Sequence, residues 1–135
     1  MPHFIVEYTD NIKNEANFSK LFEEINKVLI ARDTVFLIGG IRSRAIEVND
    51  YRIADGVEDD AFVHAVLKIG AGRSEEIKKE VCDALFEVMK DHFSFLMSNR
   101  YLALSMELIE FSEAGTYKLN NIHSRFKKDE NLPVK

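Results

Sequence analysis

The stretch "PHFIVEY", residues 2–8, alternates between Pro2/Phe4/Val6/Tyr8 and His3/Ile5/Glu7. A period of two marks a strand with two distinct faces. "TDN" (9–11) follows as a turn signal. Phe18, Leu21, Phe22, Ile25, Val28 and Leu29 then recur at steps of three and four. That spacing predicts an amphipathic helix, with Asn14 or Asn17 as its cap. Gly39 and Gly40 punctuate the chain before "IRSRAIEV" (41–48), a second strand. "NDYRIADG" (49–56) is expected to form a turn and a short strand ending at Gly56.

The order then repeats. "AFVHAVLKI" (61–69) is a strand and "GAGRS" (70–74) a tight loop. Ser74 can cap a helix whose first turn holds Glu75 and Glu76, where carboxylates complement the dipole. Ile77, Val81, Leu85, Phe86, Met89, Phe93 and Leu96 form its expected buried stripe, and "YLALSMELIE" (101–110) is the last strand. The fold class is therefore α+β. Two β-α-β units, about 2–57 and 61–110, form one four-stranded sheet with two helices on one face. Segment 111–127 completes a single domain, 1–127. Within it "YKLNNIHSRF" (117–126) is expected as a short strand or helical turn, and 128–135 as a flexible tail. One helix layer covers only one face of such a sheet. The apolar side chains on the other face predict an oligomer with its sheets turned inward and its sites at subunit boundaries.

Composition narrows the function. The chain has 135 residues, 46% hydrophobic and 30% charged, as one soluble domain requires. Its 18 Lys+Arg against 23 Asp+Glu give a net charge of −5, which argues against nucleic acid as a partner. Cys82 is the only cysteine, so no intramolecular disulfide can form, and a cytoplasmic setting is expected. "MPHFIVEYTDN" lacks a basic segment followed by a long apolar run, and no apolar stretch approaches the roughly 20 residues of a membrane span.

Three places can carry chemistry. Pro2 is either an inert strand-edge residue or, once Met1 is removed, a free secondary amine. Desolvation and nearby cations both lower an amine's pKa, and a neutral amine near pH 7 is a general base. In "IGGIRSR", Arg42 and Arg44 share a strand face, either as solvated side chains or as a fork for a carboxylate. In "KIGAGRSEE", Arg73 stands ahead of a helix start, where an anion is favoured, although a capped turn explains the same residues. The stretch is neither GxxxxGK[ST] nor a full GxGxxG. His3, His64, His92 and His123 show no metal-ligand spacing, and Ser43 has no identifiable His/Asp partners. Cys82 reads as a small buried thiol.

"PHFIVEY", "GIRSR", "FVHAVLKIGAGRS" and "NNIHSRFK" together resemble the 5-carboxymethyl-2-hydroxymuconate delta-isomerases of the tautomerase superfamily, alongside 4-oxalocrotonate tautomerase. The likeness runs from Pro2 to about Lys127, with "GGIRSR" a small departure. It implies duplicated β-α-β units assembled as a homotrimer. It also implies Pro2 as the base, Arg42 and Arg73 as substrate-binding residues, and no cofactor or metal. The implied substrate is a small polycarboxylate dienol from homoprotocatechuate catabolism. Two other readings stay open: action on another carboxylate, such as phenylpyruvate or a halogenated acrylate, and a trimeric ligand-binding protein without catalysis.

Overall fold

The computed structural model describes residues 1–127, so the tail expected at 128–135 lies outside the described residues. The strands are β1 (His3–Thr9), β2 (Arg42–Val48), β3 (Ala61–Gly70) and β4 (Leu102–Phe111). The helices are α1 (Lys13–Ala16), α2 (Phe18–Ile30), α3 (Glu75–His92) and α4 (Ser94–Asn99). One sheet orders the strands β2-β1-β3-β4. Each unit pairs its own two strands in parallel, and the units join through an antiparallel β1–β3 seam.

Alternation on the two central strands decides the core. Phe4, Val6 and Tyr8 of β1 and Ala61, Val63, Ala65, Leu67 and Ile69 of β3 are buried on one face. Leu21, Ile25 and Leu29 of α2 and Val81, Leu85 and Met89 of α3 cover that face. Both helices therefore lie on the same side of the sheet. The opposite face carries His3, Ile5 and Glu7, then Arg42, Arg44 and Ile46, with His64, Val66 and Glu107 in register beside them. Ile46 is 48% exposed there and Ile109 39%, so this face keeps uncovered apolar area.

Asn17 begins α2 with φ 48°, a left-handed conformation that asparagine tolerates, and its Oδ1 accepts from Lys20 N at 3.3 Å. Ser74 caps α3 by accepting from Ile77 N at 3.2 Å.

Three expectations need correction. Residues 49–56 contain no strand: Ala54 (φ 51°) and Gly56 (φ 74°) turn the backbone out of the extended region. The second long helix stops at Phe93 (φ −95°, ψ 10°) and resumes as α4, although Phe93 and Leu96 are buried as expected. Ile77, in α3's first turn, is 38% exposed, and Phe86 is half-buried on its flank.

Asn17→Ala should cost about 1–2 kcal/mol in urea unfolding, through the lost cap and left-handed strain. Asn17→Gly should cost only a few tenths of that scale, because glycine accepts the backbone angle.

Candidate active site

Topology brings the candidate residues to one end of the sheet. β1 and β2 run parallel with His3 opposite Arg42, and Arg42 N donates to Pro2 O at 3.1 Å. β1 and β3 run antiparallel with His3 opposite Lys68, so the chain leaving β3 passes beside the start of β1. Arg73 lies on that exit. Pro2 is buried, and Arg42 and Arg73 are half-buried.

Arg73 is held firmly. Its guanidinium donates to Gly70 O at 2.8 Å and Val35 O at 3.0 Å, and stacks 5.0 Å from the centre of the buried Phe36 ring. Two carbonyls and an aromatic face fix the fork while further N–H donors remain for an anion. Arg42 turns to Met1, donating to its Sδ at 2.7 Å. Arg44 donates instead to His3 Nδ1 at 3.2 Å. Burial, then the Arg44 and Arg42 charges, push the His3 pKa below its usual value. The two arginines of "RSR" therefore have different surroundings.

A cavity of about 370 Å³ opens at this end, lined in part by Met1, Gly40, Arg73, Lys118, Asn120 and His123. The amino group of Met1 has a pKa below its ordinary value of 8.0. Burial is the largest cause, the charges of Arg73, Lys118 and Arg42 add to it, and Glu113 opposes. A second cavity of about 570 Å³ shares Leu37, Asn120 and His123 with the first.

Glu113 and Lys118 carry no motif of their own, and Asn120 and His123 enter the sequence reading within "NNIHSRFK", with no role attached. They come from the segment after β4, which closes over the Ile38–Gly40 turn and ends in a 3₁₀ turn, Ile122–Phe126. Asn120 Nδ2 donates to Gly39 O at 2.9 Å, and Asn120 Oδ1 accepts from Ile122 N at 2.8 Å. One sequence signal existed. Neither Gly39 nor Gly40 has a positive φ, so the turn they form does not require glycine for its backbone angles. A Cβ on Gly39 would stand 2.9 Å from the backbone N and Cα of His123, and one on Gly40 3.3 Å from Met1 Cα. The pair permits close approach of backbone to backbone.

The other candidates lie elsewhere. His64 bonds Ser105 Oγ at 2.7 Å and Glu107 Oε1 at 3.1 Å on the uncovered sheet face. Burial raises the pKa of the half-buried Cys82 thiol, which opposes the thiolate a nucleophile needs. Among the described residues no group of three or more His, Cys, Asp or Glu is placed to hold a metal ion. No helix among them is long and apolar enough to cross a membrane.

The architecture defines the class first. A fused 4-OT, solved as a symmetric trimer, superposes with TM-score 0.60 at 20% identity over 87% of this chain and 93% of that one. The chain thus has the tautomerase fold. The sequence profile of 5-carboxymethyl-2-hydroxymuconate isomerase matches residues 2–126, and the chain belongs to that family. The 5-carboxymethyl-2-hydroxymuconate Delta-isomerase of Escherichia coli is 48% identical over 127 residues, 94% of this chain and 100% of that protein. The crystal structure of a 5-carboxymethyl-2-hydroxymuconate isomerase from Deinococcus radiodurans R1 is 54% identical. It superposes with TM-score 0.89 over 94% of this chain and 95% of that one.

Gly39→Ala should loosen the segment after β4 without unfolding the core. Amide exchange across Ile122–Phe126 should accelerate tenfold or more while Leu85 and its neighbours keep their protection, as read by hydrogen-exchange NMR.

Proposed function

We propose that this chain is an isomerase that ketonises 5-carboxymethyl-2-hydroxymuconate, with Pro2, freed of Met1, as its base. The observation that carries the reading is the environment of the N-terminal amine. As the Met1 amine it is half-buried and surrounded by Arg73, Lys118 and Arg42, so its neutral form is favoured. The same surroundings act on the Pro2 nitrogen once Met1 is gone. Family membership supplies the reaction.

The chemistry then follows. Neutral Pro2 takes the proton of the substrate's 2-hydroxyl group. Electrons shift from that oxygen through the diene, giving a 2-oxo group and a C3–C4 double bond. The Pro2 ammonium returns its proton to carbon 5, so atoms and charge balance and the amine regenerates. Arg42 and Arg73 hold carboxylates and stabilise the negative charge that builds on the 2-oxygen. The conjugated π-system carries the electrons without a cofactor. These cations also offset repulsion between a polyanion and a chain of net charge −5. The domain responsible is residues 1–127.

The working unit is a homotrimer. Two features support this: the uncovered sheet face bearing Ile46 and Ile109, and the trimeric assembly named for a fold relative. The setting is cytoplasmic catabolism of homoprotocatechuate.

The test is the pH–rate profile of Met1-free protein beside Pro2→Ala. A base must be neutral to work, so kcat/KM should rise with pH through the pKa of an N-terminal amine lowered by burial and by the neighbouring cations, and then level off. Pro2→Ala should lower kcat/KM by about a hundredfold or more, and material that keeps Met1 should be equally impaired. Undiminished turnover by either would remove Pro2 as the base.

A further inference from the structure

We infer that Lys118 is a specificity-determining residue, the counter-ion for the substrate's carboxymethyl group. This rests on the isomerase reading above. It concerns a residue from the irregular segment after β4, outside the Pro2, Arg42 and Arg73 set.

Three observations lead there. Lys118 lines the same cavity as Met1 and Arg73, and its charge is among those lowering the amine's pKa. Its ammonium is 3.4 Å from Glu113 Oε2, an ion pair that an incoming carboxylate can replace because both side chains are partly exposed. Glu113 in turn sits against Gly70, where a Cβ would come within 2.5 Å of its Oε1. Glu113 is thus a resident carboxylate beside Arg73 and Lys118, standing where a third anionic group is electrostatically favoured.

The chemistry of the side chains assigns the partner. Two of the substrate's carboxylates are conjugated with the flat diene, and planar guanidinium forks match that geometry. The third is carried on a methylene and turns out of the plane. A lysine ammonium is a compact charge on a flexible stem with rotatable donors, which suits a carboxylate of variable direction. Asn120 and His123, clamped on Gly39, hold the segment that carries Lys118 over the cavity.

The experiment compares two substrates, 5-carboxymethyl-2-hydroxymuconate and 2-hydroxymuconate, which lacks the third carboxylate. Lys118→Met should lower the ratio of their kcat/KM values about tenfold to hundredfold, mainly through KM for the tricarboxylate. Lys118→Arg should keep most of that ratio. Glu113→Gln, by releasing Lys118, should lower KM for the tricarboxylate. If turnover falls too far to measure, the same ratio is read from the Kd values of saturated tri- and dicarboxylate analogues by calorimetry. An equal loss for both substrates in Lys118→Met, or no loss for either, overturns the assignment. Pro2→Ala run in parallel separates the two claims. An inactive Pro2→Ala with an unchanged ratio in Lys118→Met defeats the Lys118 role alone, and a fully active Pro2→Ala defeats the isomerase mechanism.

Discussion

The antiparallel pairing of β1 with β3 is the contact on which the rest of the molecule depends. It joins two parallel β-α-β units into one sheet and sets both helices on the same face. It also sets the chemistry. Because β1 runs against β3, the start of the first strand lies beside the end of the third, and Arg73 follows that end. A parallel seam would place Arg73 at the far end of a seven-residue strand, about 20 Å away. The parallel β1–β2 ladder brings Arg42 to the same end by the opposite rule, start beside start. Two strand directions thus converge two arginines on one N-terminus.

The electrostatics of that corner oppose the charge of the whole chain. A protein of net charge −5 collects Arg42, Arg73 and Lys118 around its N-terminal amine, with Glu113 as the countervailing carboxylate. Burial and the cations act in the same direction on an amine, since both penalise its protonated form. Rigidity comes from secondary bonds rather than from the strands alone. Arg73 is tied to two carbonyls and a ring, and the segment bearing Lys118 is latched to the backbone of Gly39.

The opposite face of the sheet follows a different logic. Its rows mix charge with apolar side chains: Arg44 turns to His3, His64 bridges Ser105 and Glu107, and Ile46 and Ile109 stay partly uncovered. Polar groups that satisfy one another within the face leave it able to be covered without stranding buried donors.

Strands, helices and caps were legible because each is a local matter. Alternation in "PHFIVEY" fixed which side chains face the core, and three- and four-residue steps did the same for α2 and α3. The misread pieces were those where local pattern competes with packing or turn chemistry: the supposed strand before Gly56, the exposed Ile77 at the start of α3, and the break at Phe93. Pro2, Arg42 and Arg73 could be singled out by residue type and resemblance, but their convergence could not, because the direction of the β1–β3 seam is a choice between distant segments. The segment after β4 has no periodicity to read, so Glu113, Lys118, Asn120 and His123 gained meaning only when it closed on Gly39 and Gly40. Local sequence sets the elements by steric and hydrophobic rules acting over a few residues. The site belongs to tertiary structure because charges far apart along the chain act on one amine only when folding brings them together.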